Sequence, residues 1–399
     1  MFCKIVEVRT YLVGGKGEGG DYHDQPKGHW IVDTTIANPM SAYSDYKSSR
    51  TSWGIGVLGS IVVEIEDEAG NIGVSTGFGG EPACFLIEQH FKRFLIGNDA
   101  RNTNLFWDQM YQSSMFYGRK GIALAALSVV DLALWDLLGI RRQEPVWAMI
   151  GGKVRDNLDY YCTGPRPDVA KEIGFWGGKV PLPFGPADGA EGVRKNVEFL
   201  EMHREAVGPD FPLMVDCYMA LTVPYAIEIA SACEHLNINW WEEVLHPDDI
   251  DGFRTIKAAH PTKKWTTGEH EFSRYGFRQM ITERCVDIIQ PDVMWLGGMT
   301  ELLRVSAMAA AYDLQVVPHG SGAYSSHFVI TQPHSKFCEY ISNSRDGKSV
   351  IPVFGNLFLN EQVPTNGKLS LGDEPGFGLT LNPDASLTRY QSMSDRASA

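Results

Sequence analysis

The sequence predicts an α/β protein: a parallel barrel of eight strands with helices between most of them, standing behind an α+β unit. From about residue 155, short apolar runs recur with amphipathic stretches between them. Strands of a parallel barrel are buried on both faces, so they read as continuous apolar runs. Before that point strands come first and a run of helices follows, the order of an α+β unit. The ends of successive apolar runs also carry ionisable residues, a pattern developed below.

At 399 residues the chain exceeds one ordinary domain, and exceeds the roughly 250 residues that a single barrel takes. It divides into an N-terminal unit at 1–150, a barrel at 151–350 and a segment at 351–399 that returns to the first unit. In order, Ile5 to Val13 alternates as a strand should, and a long polar segment follows to about residue 55. A loop that long is functional or disordered. Gly59 to Glu66 alternates again, and residues 84–138 carry helical spacing up to a stop at Gly139. The barrel strands are expected at Leu158–Thr163, Gly178–Leu182, Leu213–Cys217, Asn239–Val244, Trp265–Glu269, Val286–Asp292, Gln315–His319 and Phe337–Ile341. Among the helices between them, one places Leu302, Val305 and Ala309 on a single face.

Composition is that of an ordinary globular protein, 44% hydrophobic and 21% charged. A net charge of -14 without a run of Lys and Arg opposes nucleic acid as a partner. An anionic substrate would then need a bound cation and local basic groups. Seven cysteines lie far apart with no CxxC pair, which predicts a reducing, cytoplasmic setting. No leader and no apolar stretch of about 18 residues is visible, so no membrane span is expected.

In barrels of this kind catalytic side chains gather where strands end and loops begin. Here the third strand ends in Asp216, the fourth in Glu242-Glu243, the fifth in Glu269-His270, the sixth in Asp292 and the seventh in His319, while the eighth carries Glu339. Neighbouring residues of this set are roughly 20 to 27 positions apart, about one βα unit. Taken singly, an Asp after a strand caps a helix and an acidic pair is solvated surface. The periodic recurrence outweighs those readings. Carboxylates crowded on one face raise one another's pKa unless a cation offsets them. Oxygen ligands select a hard ion, Mg²⁺ or Mn²⁺, over zinc. Asp292 beside His319 would fix the imidazole tautomer and raise its basicity, making His319 a candidate general base. Abstraction of a proton α to a carboxylate builds charge that a metal and a hydrogen-bond donor must stabilise, and a protonated Glu339 is the candidate donor.

Six segments carry a resemblance: Val130-Asp131-Leu132-Ala133-Leu134-Trp135-Asp136-Leu137, Leu213-Met214-Val215-Asp216, Trp240-Trp241-Glu242-Glu243, Thr267-Gly268-Glu269-His270, Gln290-Pro291-Asp292-Val293 and Val317-Pro318-His319-Gly320-Ser321, with Pro375-Gly376-Phe377-Gly378 as a seventh. On these the chain resembles the enolase superfamily over nearly its whole length, and more closely the L-rhamnonate dehydratase family within it. The resemblance implies a (β/α)7β TIM-type barrel with an α+β N-terminal capping domain. It also implies one Mg²⁺ per subunit on Asp216, Glu242 and Glu269, with Glu242 rather than Glu243 as ligand. His319 would be the base, Asp292 its orienting partner and Glu339 the stabiliser of the intermediate, in contact with substrate. The segments around His23 and Arg50 also resemble this subgroup, which implies that both bind substrate. The activity implied is dehydration of L-rhamnonate, an acid sugar, to its 2-keto-3-deoxy product by a homo-oligomer.

Lys179-Val180-Pro181 lacks the second lysine of relatives that work from both faces of the substrate, so one-sided chemistry through His319 is expected. Trp240 and Trp241 are expected to pack between barrel and helices. His203 is expected on the surface, while His29, His270 and His327 stand near site residues in sequence. Competing expectations are a dehydratase or epimerase for another aldonic acid, and a catalytically silent barrel.

Overall fold

The computed structural model describes residues 3–14, 27–47 and 58–391. Strands β1 (Ile5–Val13), β2 (Ser60–Asp67) and β3 (Ile72–Phe78) form an antiparallel sheet, with Tyr11 opposite Val62 and Val62 opposite Thr76. β3 is a strand that the sequence reading passed over, because its two glycines weaken the strand signal. Both glycines are explained by packing against the helix Ile122–Arg142. A methyl group on Gly73 would stand 2.3 Å from the Ala133 carbonyl oxygen and 2.4 Å from the Leu137 nitrogen, and one on Gly77 would stand 2.6 Å from Val129.

That helix also corrects one expectation. It runs through Gly139 to Arg142 and ends at Gln143, in the left-handed region at φ 56°. Gly139 serves close packing, since a methyl there would be 2.6 Å from the Gly376 backbone. The helix is also long and apolar enough to cross a membrane, but 89% of its apolar window is buried inside the protein. It is the central core helix of the first sheet.

The barrel strands are β4 (Leu158–Thr163), β5 (Gly177–Pro181), β6 (Leu213–Asp216), β7 (Trp241–Glu242), β8 (Trp265–Thr267), β9 (Ile288–Ile289), β10 (Gln315–Val316) and β11 (Phe337–Ile341). They are parallel, in the order β10-β9-β8-β7-β6-β5-β4-β11. One helix follows each of the first seven: Pro167–Glu172, Gly189–Val207, Val223–Ala232, Ile250–Ala259, Ser273–Glu283, Gly298–Ala310 and Gly322–Val329. This is the (β/α)7β arrangement. At the seam between β10 and β11, Ser335 donates to the Val316 carbonyl and the Gly320 amide donates to Glu339 at 2.9 Å.

All eight expected strands are present, but β7, β9 and β10 pair over fewer residues than their apolar runs. Pro291 and Pro318 have no N–H for the ladder. Glu243 turns away at φ 45°. The chain therefore leaves the sheet where the ionisable residues begin. The two tryptophans part company by strand alternation. Trp240 turns into the barrel with Tyr161, Met214, Ile288 and Val317, correcting the expectation, while Trp241 faces outward toward Trp265.

The C-terminal segment touches both parts of the fold. β12 (Lys368–Leu369) runs antiparallel to β4, and β13 (Leu387–Arg389) adds to the edge of β1, with Tyr11 opposite Arg389. Between them, the buried Asp136 carboxylate accepts the amides of Val74 at 2.8 Å and Phe377 at 2.9 Å.

Candidate active site

A cavity opens where the barrel strands end beneath the first sheet. Trp30, Ile31, Ser60 and Phe78 line one side, and Lys179, Asp216, Glu269, Asp292, His319 and Glu339 line the other.

Asp216 closes β6, Glu242 closes β7 and Glu269 lies just beyond β8. One oxygen from each lies within 4.8 Å of the others. Glu242 is 1% exposed and is held by Gln290 Nε2 at 2.7 Å and Trp240 Nε1 at 3.0 Å, both on Oε2. Asp216 accepts the Tyr218 amide at 3.0 Å. Burial pushes the Glu242 carboxyl up to about 7 against the pull of Lys179. It also raises Asp216, and raises Glu269 well above the usual carboxylate range. Glu269 Oε2 is buried without a hydrogen-bond partner. Three convergent carboxylates, one with an oxygen that no hydrogen bond satisfies, fit a hard divalent cation bound through oxygen.

Glu243 takes another direction. Its carboxylate meets His270 Nδ1 at 2.9 Å, and with Glu269 the two make a second group close enough to hold a metal. Burial opposes the charge on His270, but Glu243 outweighs it and lifts the imidazole to about 9. An imidazole-containing set suits a hard cation less well than the oxygen-only set that contains Glu242.

His319 Nδ1 stands 2.7 Å from Asp292 Oδ2, and its Nε2 lies 3.5 Å from Glu269. Asp292 is itself fixed, accepting the Ser321 hydroxyl at 2.9 Å and the Met294 amide at 2.7 Å on Oδ1. Burial lowers the His319 pKa, but Glu269 and Asp292 together raise it well above the usual value.

Glu339 would act as a donor only if protonated, and its surroundings favour the carboxylate. It accepts the Gly320 amide at 2.9 Å, the Thr163 hydroxyl and the Lys179 ammonium at 2.9 Å. Burial favours the neutral acid, but Lys179 and then His319 hold the carboxyl at about 2. It is an ionised acceptor, because every neighbour named here donates to it.

The structure thus brings Asp216, Glu242, Glu269, Asp292, His319 and Glu339 together, while His23 and Arg50 lie outside the described residues. His270 joins the site. His29 contacts the Asn343 carbonyl at 3.1 Å, and His327 accepts the Trp147 amide at 3.2 Å away from the chemistry. His203 is 7% exposed against Phe199, not on the surface. Sequence reasoning treated Lys179 only as the remnant of a missing pair, yet it is 1% exposed and touches Asp216, Glu242 and Glu339. Its signal was a lone lysine inside an apolar barrel strand. Ser321 and Gln290 had no such signal, being ordinary polar residues at strand ends.

Comparison with known proteins agrees with this geometry. Residues 174–385 match the family described as Enolase C-terminal domain-like, and residues 32–151 match the Mandelate racemase / muconate lactonizing enzyme, N-terminal domain. The L-rhamnonate dehydratase of Saccharopolyspora erythraea is 50% identical over 387 residues, 97% of this chain and 98% of that protein. The rhamnonate dehydratase from Gibberella zeae, solved in complex with Mg, is 64% identical with a TM-score of 0.96 over 97% of both chains. The 3,6-anhydro-D-galactonate cycloisomerase from Zobellia galactanivorans is more distant, 26% identical with a TM-score of 0.74 over 96% of this chain and 97% of that one. The chain belongs to the enolase superfamily, in its mandelate racemase and muconate lactonizing enzyme branch, and within that branch to the L-rhamnonate dehydratase family.

Proposed function

We propose that this protein is a Mg²⁺-dependent hydro-lyase that converts L-rhamnonate to 2-keto-3-deoxy-L-rhamnonate and water. The observation that carries the reading is the aim of His319: Nδ1 is tied to Asp292 at 2.7 Å while Nε2 points toward the carboxylate cluster. Asp216, Glu242 and Glu269 would hold the metal. Bound there, Mg²⁺ acts as a Lewis acid toward the charge that gathers on the substrate carboxylate as C2 loses its proton.

His319 Nε2 takes the C2 proton, and the Asp292 carboxylate stabilises the imidazolium that forms. The electron pair left at C2 then expels the C3 hydroxyl, which leaves as water with the proton that His319 returns. The resulting enol gains a proton at C3 and loses one from oxygen, giving the 2-keto acid. The ammonium of Lys179 and the amide of Gly320 hold the ionised Glu339 at the cavity wall. His23 and Arg50 are assigned to substrate binding. The chain that follows each of them, Trp30 and Ile31 in one case and Ser60 in the other, lines the cavity.

The division into a capping unit at 1–150, a barrel at 151–350 and a returning segment at 351–399 belongs to the same reading. So does a homo-oligomeric assembly. A cytoplasmic setting is supported by seven free, buried cysteines. The test is a panel of aldonic acids with Mg²⁺, read as 2-keto acid formed. L-Rhamnonate should turn over best, and chelation should stop the reaction. If L-rhamnonate is inert while another acid reacts, the substrate assignment fails and the reaction class stands.

A further inference from the structure

Lys179 is the one fully buried lysine of the barrel mouth among the described residues, and its placement differs from that of a base. Its ammonium contacts Glu242 Oε1, reaches Glu339 at 2.9 Å and lies 3.5 Å from Asp216. It also stands 5.8 Å from the centre of the Tyr161 ring. Three carboxylates surround its ammonium at the cavity wall. Two of its three acidic partners are the residues assigned to the metal, and the third, Glu339, is not. Glu269 lies beyond its reach and leans instead on His319 and His270, each at 3.5 Å.

Buried carboxylates of like charge repel one another unless a cation lies among them. A buried ion pair that loses one partner leaves an uncompensated charge, a strongly destabilising change. Lys179 supplies that cation from within the chain. The same ammonium competes with an incoming metal, because it occupies Glu242 and Asp216 and repels a second positive charge.

We propose that Lys179 is a positioning residue: a resident counterion that keeps the metal-free carboxylate cluster assembled, yields Glu242 and Asp216 to the metal while keeping Glu339, and thereby weakens metal affinity. This rests on the reading of Asp216, Glu242 and Glu269 as the metal ligands. The structure provides the second half of the device in Glu339, whose Thr163 and Gly320 donors give it a fixed place to which Lys179 can remain bound.

The test uses the full chain without substrate, with Mg²⁺ alone as the probe, read by calorimetric titration and by melting temperature with and without metal. Lys179→Met should melt several degrees lower than the native chain without metal, and bind Mg²⁺ about tenfold more tightly. Glu339→Gln removes an anion that holds Lys179 away from the ligands, and should bind Mg²⁺ about tenfold more weakly. Opposite signs are the signature, because general damage to the site would weaken binding in both variants. If Lys179→Met unfolds without metal, its affinity is read from the Mg²⁺ concentration that refolds it. In that case Glu339→Gln is compared with the double variant Lys179→Met/Glu339→Gln: loss of the lysine should restore tight Mg²⁺ binding, and a double variant that binds as weakly as Glu339→Gln overturns the proposal. A native chain that binds Mg²⁺ while both variants shift in the same direction overturns the role of Lys179 alone. A native chain indifferent to Mg²⁺ overturns the ligand assignment, and the proposal with it.

Discussion

His319 Nδ1 and Asp292 Oδ2 stand 2.7 Å apart, and the other Asp292 oxygen is occupied by Ser321 and Met294. Asp292 therefore has one free direction in which to act, and it acts on the imidazole. Asp292→Asn keeps the shape but removes the negative charge that supports the basic Nε2. It should lower kcat by about 10²-fold with little change in KM. Steady-state kinetics would check this, and an unchanged kcat would remove Asp292 from the orienting role.

The Glu269 oxygen that lacks a hydrogen bond points to a metal-dependent stability. A ligand at 100 times its dissociation constant stabilises the native state by about 2.7 kcal/mol. Mg²⁺ should therefore raise the melting temperature of the native chain, and EDTA should reverse the rise. Glu269→Gln should abolish it while leaving the circular dichroism spectrum intact.

Gly73 lies where β3 meets the backbone of the core helix. Gly73→Ala places a methyl 2.3 Å from the Ala133 carbonyl and must part sheet from helix. Overpacking of this kind costs about 1–3 kcal/mol. Denaturant unfolding should show the loss with an unchanged m-value. Gly28, whose added methyl would meet nothing within 4 Å, sits at φ 93°, so its replacement costs backbone strain instead.

His327 predicts an acid-side loss of stability. Burial, and then the nearby Lys153 charge, hold its pKa at about 3 in the folded chain. The unfolded chain takes up that proton near 6.5, so between these values the unfolded state binds more protons. Stability falls as pH drops through that window, by up to about 1.4 kcal/mol per pH unit from this group. Glu361, raised to about 7 by burial, acts with the opposite sign above its ordinary value. The difference between native chain and His327→Gln isolates the histidine. The variant's unfolding free energy should vary less steeply from pH 6.5 downward, and parallel curves would refute the assignment.

The barrel was legible because continuous apolar runs and strand-end carboxylates both repeat at the spacing of one βα unit. Asp216, Glu269 and His319 could be placed from that rhythm alone. β3 was not legible, because Gly73 and Gly77 answer to the helix that packs on them and carry no strand signal of their own. The ionised state of Glu339 was hidden for a related reason. It depends on Lys179, a residue remote in sequence that only the β4 and β5 neighbourhood brings alongside. Gly139 misled in the other direction, since the absence of a side chain looks the same at a helix stop and at a close contact with Gly376.

The pairing of β13 with β1 also sets an order of events in the making of the protein. Synthesis delivers Tyr11 before every barrel strand and Arg389 after every one, so the outer edge of β1 waits uncovered until all the barrel strands have been made. Exposed strand edges recruit other chains. A message cut short before residue 387 would release a barrel whose first sheet still presents that edge, with aggregation rather than inactivity as the first consequence.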